Sequence, residues 1–242
     1  MDVSKILRKL STRGAACAAI VVAAGNATRM QGTDKIMADL GGEPVILHTL
    51  RAFQQSDDIQ EIILVTREDL QDPISKLCVE KKLSKVTKIC KGGETRAASV
   101  QAGLDQVSAQ CGFVAIHDGA RPLVSQSVIH DAVRKAAKFY AAAPGVPVKD
   151  TIKVVHGGVV ESTPDRSALY AIQTPQVFAL DLYRAALDQA IAARAELTDD
   201  CSAAEKYGMN VVITPGSDEN IKITTPTDLL LAEALLQGRK RQ

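Results

Sequence analysis

Hydrophobic positions along the chain switch repeatedly between two rhythms. A continuous apolar run over 17–24 (CAAIVVAA) gives way to a polar loop, then to PVILHTLRAFQQ at 44–55, where apolar residues recur at helical spacing. EIILVT (61–66) predicts a second strand and 68–83 a helix; KVTKIC (85–90) predicts a third strand, with a helix over 95–107. The run inside CGFVAIHDGARP closes a fourth strand on Asp118, and 127–142 is amphipathic and helical. Further helices are expected at 180–196 and near 199–207, then a strand at 211–214. The last helix has a clear start: Thr225 as N-cap, Pro226 in the first position and Asp228 in the first turn.

Such alternation predicts an α/β fold, a mostly parallel, doubly wound (Rossmann-like) sheet with helices on both faces. Sheets of this kind bind ligands outside the carboxyl ends of their strands. Gly25, Gly92–Gly93 and Asp118, each at a strand end, would then line one crevice. From 145 to 178 the rhythm breaks into short strands around a Gly-Gly turn, read as a β-arm protruding from the sheet. Residues 1–16 are expected as a basic N-terminal tail and 17–242 as a single domain.

Composition narrows the function. The 242 residues are 46% hydrophobic, enough for one sizeable core, and the net charge of +1 provides no global field to draw nucleic acid or membrane. Aromatic residues make up 3% with no Trp, too few for a base-stacking platform. Five scattered cysteines without a C-x-x-C pair fit free thiols in a reducing, cytoplasmic compartment better than a disulfide framework. No run approaches the length of a membrane span. A secretory signal is the rival reading of the N-terminus, since Lys5, Arg8, Lys9 and Arg13 precede the apolar run. That run is Ala-rich, however, and its removal would delete the first strand of the alternation.

Three stretches carry chemistry. AAGNATRMQGTDK lacks the glycines of a dinucleotide fingerprint and the Gly-Lys-Ser/Thr of a Walker loop. It offers free backbone N–H groups with Arg29 and Lys35, which suit a nucleoside triphosphate; taken alone, it reads somewhat better as a solvated loop with two surface cations. GGETRAASVQAGL puts a glycine pair ahead of a helix, with Ser99 one turn in, where backbone can approach a base or ribose. In HDGARP, Asp118 is a natural partner for Mg²⁺ or a hydroxyl, while His117 has no nucleophile or carboxylate spaced to make it catalytic.

Together with PVKDTIK, DRSALYAIQTPQVF, TDDCSAAE and ENIKIT, these stretches resemble the 2-C-methyl-D-erythritol 4-phosphate cytidylyltransferase family from about residue 17 to 236. The first loop is common to many sugar nucleotidyltransferases; the combination of DR…TPQ.F and NIK is more specific. The resemblance implies transfer of a cytidylyl group from CTP to methylerythritol phosphate, with Mg²⁺, in non-mevalonate isoprenoid synthesis. It implies that Arg29 and Lys35 stabilise the transition state, and that Arg166 and Lys222 hold the sugar phosphate in line. Ala23, Ala24, Gly25, Gly93, Ser99 and Gly119 would contact CTP. Asp118 and Thr174 would complete the substrate pocket, with Asp118 the metal ligand. The arm would swap into a homodimer, bringing Thr151 and Arg166 to the partner's site.

The residue types suit the reaction. A phosphate monoester with a second pKa near ~6 is already largely dianionic at neutral pH, so no general base is needed. What the reaction needs is positive charge to bring two anions together. The chain departs from the family at Ala27, where a second glycine is common, and at Asp34, where a proline is. It is also one residue short between Arg29 and Lys35, and Asp34 could partly offset the charge of Lys35. Ribitol 5-phosphate as acceptor, and a non-catalytic nucleotide-binding regulator, are the rival functions.

Overall fold

The computed structural model describes residues 16–25 and 34–240. The basic tail, apart from Ala16, and the first-loop residues Ala27 and Arg29 lie outside them. Strand β1 (Cys17–Ala23) is paired on one side with β4 (Ile59–Thr66) and on the other with β6 (Phe113–Asp118), both parallel. The apolar run weighed as a signal is therefore the interior of the sheet. β5 (Val86–Lys91) extends it past β4, and β2 (Asp39–Leu40) and β3 (Glu43–Pro44) form a small separate hairpin.

Beyond β6 the sheet continues through β11 (Gln176–Ala179), β7 (Ala141–Pro147) and β10 (Tyr170–Ile172), with β12 (Val212–Pro215) also paired to β7. β11 runs antiparallel to both β6 and β7, and β10 antiparallel to β7; β12 and β7 are parallel. All strands but β10 and β11 thus point one way, so the sheet is mostly parallel.

Helices cover both faces. Alternate residues of β1 (Cys17, Ala19, Val21) face α1 (Val45–Gln55), α2 (Glu68–Glu80), α4 (Gln126–Phe139) and α7 (Pro226–Lys240). Ala18 and Ile20 face α3 (Arg96–Leu104), α5 (Leu180–Ala192) and α6 (Asp200–Lys206). Burial on two faces explains why β1 is apolar throughout rather than alternating. At the start of α7 the Asp228 carboxylate accepts from the Thr224 and Thr225 N–H groups, as the capping pattern predicted.

Two expectations change. The helix predicted over 127–142 stops at Phe139, because Tyr140 turns left-handed (φ 71°) and Ala141–Ala143 are buried in the sheet. The alanine run favours a helix locally, but its place in the sheet decides otherwise. The arm expected over 145–178 is also shorter. β7, β10 and β11 keep both of its ends in the main sheet, and only the exposed hairpin β8 (Val154–His156)–β9 (Val159–Ser162), turning at Gly157–Gly158, stands apart. The five cysteines are free thiols. Among the described residues, no helix is long and apolar enough to cross a membrane.

Candidate functional site

The carboxyl ends of β1, β4, β5 and β6 open onto one cleft of about 630 Å³. Ala23, Ala24 and Gly25 line it from β1, and Gly92, Gly93 and the first turn of α3 from the end of β5. The close approach of these two walls requires glycine. A Cβ at residue 92 would lie 2.3 Å from the Ala24 Cβ and 2.8 Å from the Ser99 Oγ. Ser99 braces the turn: its hydroxyl accepts from the Gly93 N–H at 3.2 Å and donates to the Thr95 carbonyl at 3.0 Å. Thr95 caps α3 by accepting from the Ala98 N–H at 3.0 Å.

Positive charge enters from five directions, on Lys35, Arg67, Lys91, Arg96 and Lys222. Asp118, at the end of β6, organises much of it. Its Oδ2 meets Lys222 Nζ at 2.8 Å and Arg121 Nε at 3.6 Å, and its Oδ1 meets Arg96 at 3.4 Å. Burial alone would raise the pKa of this carboxyl, but Lys222, Arg96 and Arg121 hold it well below the usual carboxylate range. It is ionised at any physiological pH. Arg96 also pairs with buried Asp200 at 2.7 Å, and the two carboxylates keep the guanidinium charged despite burial.

The turn beneath Asp118 is fixed by hydrogen bonds. The Asp118 N–H donates to the Thr174 hydroxyl at 3.1 Å, and that hydroxyl donates to His117 Nδ1 at 3.0 Å. His117 Nε2–H donates to the Arg121 carbonyl at 3.2 Å, which sets the tautomer. Burial lowers the pKa of His117 to about 4, so the ring is neutral. It is a structural clamp, as its lack of a sequence partner suggested. Asn220 ties in the segment that carries Lys222: its Nδ2 donates to the Thr174 carbonyl at 2.9 Å, and its own carbonyl accepts from Arg121 at 2.7 Å.

Ala23, Ala24, Gly25, Lys35, Gly93, Ser99, Asp118 and Lys222 therefore share one cleft. Other expected residues do not line it. Gly119 donates its N–H to the Val22 carbonyl at 2.8 Å, and its carbonyl accepts from the Thr49 hydroxyl at 2.9 Å, so both its backbone groups are used inside the fold. Thr174 is 4% exposed, and its doubly engaged hydroxyl supports Asp118 from beneath. Thr151 and Arg166 are exposed at the base of the arm, where Arg166 donates to the Lys149 carbonyl at 2.9 Å. Asp34 gives its carboxylate to Arg67 and to the Ile36 N–H, the latter at 2.9 Å.

Sequence reasoning passed over Arg67, Lys91, Arg96 and Arg121. Arg96 and Arg121 sat within the quoted motifs, and their positions next to a helix start and a strand end were the available signals. Among the described residues, no group of three or more His, Cys, Asp or Glu side chains is placed to hold a metal. Asp118 faces the cleft, with Glu68 and Glu94 also on its lining, a sparse donor set that suits Mg²⁺ bringing most of its oxygens on a phosphorylated ligand.

Over residues 17–238 the chain matches the 2-C-methyl-D-erythritol 4-phosphate cytidylyltransferase family. It is 44% identical over 224 residues to the protein so named from Halalkalibacterium halodurans, covering 92% of this chain and 98% of the relative. To the one from Dehalococcoides mccartyi it is 46% identical over 220 residues, covering 90% and 95%. Among solved structures, the 4-diphosphocytidyl-2C-methyl-D-erythritol synthase of Anaerococcus prevotii is similar with a TM-score of 0.82 at 33% identity, over 91% of this chain and 96% of that one.

Proposed function

The chain belongs to the 2-C-methyl-D-erythritol 4-phosphate cytidylyltransferase family, and from that premise we propose how its cleft performs the reaction. The enzyme transfers a cytidylyl group from CTP to 2-C-methyl-D-erythritol 4-phosphate and releases pyrophosphate, a step in isoprenoid precursor synthesis. The triphosphate lies along Ala23–Gly25, the Gly92–Gly93 turn and the start of α3, where backbone N–H groups and cations suit it. An oxygen of the acceptor phosphate attacks the α-phosphorus, and the bond to the bridging oxygen of the β-phosphate breaks.

Lys35 lines the cleft and, with Arg29, stabilises the charge that spreads over the α-phosphoryl oxygens and the leaving pyrophosphate. Lys222, steered by Asp118, receives the acceptor phosphate. Arg166 of the partner subunit and Thr151 of the partner subunit, carried on the arm, close the acceptor side in a homodimer. Their exposure and absence from the cleft of their own chain support that arrangement. Asp118 and the bound phosphates would hold Mg²⁺, which would supply further charge neutralisation. The protein works in the cytoplasm, where CTP and a sugar phosphate are both available.

One observation carries this reading. The cleft gathers cations around Asp118, and among the described residues it has no histidine or cysteine to act as base or nucleophile. The test is ³¹P NMR of CTP and Mg²⁺ with methylerythritol phosphate or ribitol 5-phosphate in parallel. A new diphosphate diester and free pyrophosphate with the first acceptor alone support it. Turnover of ribitol phosphate alone assigns a different acceptor, and inertness with both refutes a catalytic site.

A further inference from the structure

Beyond the support that Thr174 gives Asp118 and the pairing of Asp200 with Arg96, TPQVF and TDDCSAAE have no part in the chemistry above, yet they meet directly behind the cleft. Gln176 Nε2 donates to Asp199 Oδ2 at 2.8 Å, and its Oε1 accepts from the Cys201 N–H at 2.9 Å, which fixes the start of α6. Phe178 stacks on Tyr183 with ring centres 4.4 Å apart and planes 15° from parallel. The Tyr183 hydroxyl donates to Asp200 Oδ1 at 2.7 Å. Asp200 is 3% exposed, and its other oxygen meets Arg96 at 2.7 Å. The same guanidinium nitrogen lies 3.4 Å from Asp118.

Arg96 is thus held between a carboxylate in the cleft and one behind it, and sits nearer the second. A carboxylate as deeply buried as Asp200 persists only when paired and hydrogen-bonded, and both conditions are met. Without Asp200, Arg96 would close onto Asp118. It would then compete with Lys222 for that carboxylate, which would neutralise the charge the guanidinium otherwise offers to the cleft.

We propose that Asp200, fixed by Tyr183, is a positioning residue that draws Arg96 back from Asp118 and presents the guanidinium to the phosphates of the bound nucleotide. This rests on the nucleotide occupying the cleft. It gives the two motifs a shared purpose: β11 and α6 form the anchor from which Arg96 is aimed.

The test is a double-mutant cycle read by calorimetric titration of CTP with Mg²⁺ and no acceptor, using the parent, Asp200→Asn, Arg96→Gln and the double variant. Asp200→Asn is expected to weaken CTP binding on the order of tenfold, the loss of one charge-assisted hydrogen bond. In the Arg96→Gln background it should add nothing. Weakening by the same factor in both backgrounds, or unchanged binding in Asp200→Asn, would overturn the proposal, since a merely structural role does not depend on Arg96. Thermal melts establish that each variant is folded at the assay temperature. Should Asp200→Asn unfold, Tyr183→Phe keeps both charges and is expected to weaken CTP binding about threefold with Arg96 present and not at all without it. Failure of the parent to bind CTP would instead refute the placement of the nucleotide, and the proposal with it.

Discussion

Asp118→Asn keeps the shape of the side chain and removes its charge. The native carboxylate balances Lys222 at 2.8 Å, Arg96 at 3.4 Å and Arg121 at 3.6 Å while 12% exposed. Breaking a buried ion pair from one side costs about 3–5 kcal/mol, chiefly because the remaining charge is left unpaired. Arg96 retains Asp200, and Lys222 can reach solvent, so the lower end applies: about 3 kcal/mol, or roughly 6–12 °C in Tm for a chain of this size. Thermal unfolding by circular dichroism at pH 7 measures it directly. Salt should narrow the gap by screening the unpaired cations, and inorganic pyrophosphate should raise Tm more in the variant than in the parent. The pH dependence has a definite sign. The folded pKa is depressed, so the contribution is present above the unfolded value near ~4 and is lost as pH falls through the lower folded value. Parent and variant therefore converge in acid. A variant melting within about 2 °C of the parent at pH 7 would refute the view that Asp118 organises these cations.

Lys35→Ala should lower kcat by about 10²-fold or more in steady-state assays; an unchanged kcat removes it from transition-state stabilisation. Arg166→Ala should raise the KM for the acceptor on the order of tenfold or more while leaving the calorimetric Kd for CTP unchanged, and a matching loss in CTP affinity would contradict its place beside the acceptor. His117 titrates at about 4, below the ordinary ~6.5, so folding stability should fall by about 3 kcal/mol as pH drops from about 6.5 to about 4, where the unfolded chain binds a proton that the folded one does not. Urea titrations over that range should show the slope in the parent and lose it in His117→Gln. Gly92→Ala should cost about 1–3 kcal/mol by chemical denaturation, since its methyl group would meet Ala24 and Ser99; a neutral effect would mean the two walls can part.

Strands β1, β4, β5 and β6, and the cleft at their carboxyl ends, were legible because each reads as a short apolar-rich run and because β1, β5 and β6 end on or just before a glycine or an aspartate. Their order in the sheet was not. Nor was the insertion of β11. QVFA is a short apolar segment whose antiparallel pairing between β6 and β7 is decided by distant chain, and no local period records it. Gly119 and Thr174 show the same limit at the site. Their motifs mark the neighbourhood correctly, but a sequence does not distinguish a group that touches ligand from one that holds its neighbour in place. For Arg96 the missing information was its partner, since Asp200 lies far along the chain and only the fold brings them to 2.7 Å.

Catalysis by gathered positive charge, with no protein group removing a proton, is most directly tested by the pH dependence of kcat/KM for the acceptor. Measured with methylerythritol phosphate, it should rise with a single ionisation near ~6 and then level off, as the acceptor phosphate becomes dianionic. With a phosphonate analogue of different second pKa, the apparent pKa should move with the analogue. An apparent pKa that stays fixed when the acceptor is changed belongs to the protein, and would contradict the account by revealing a general base in the cleft.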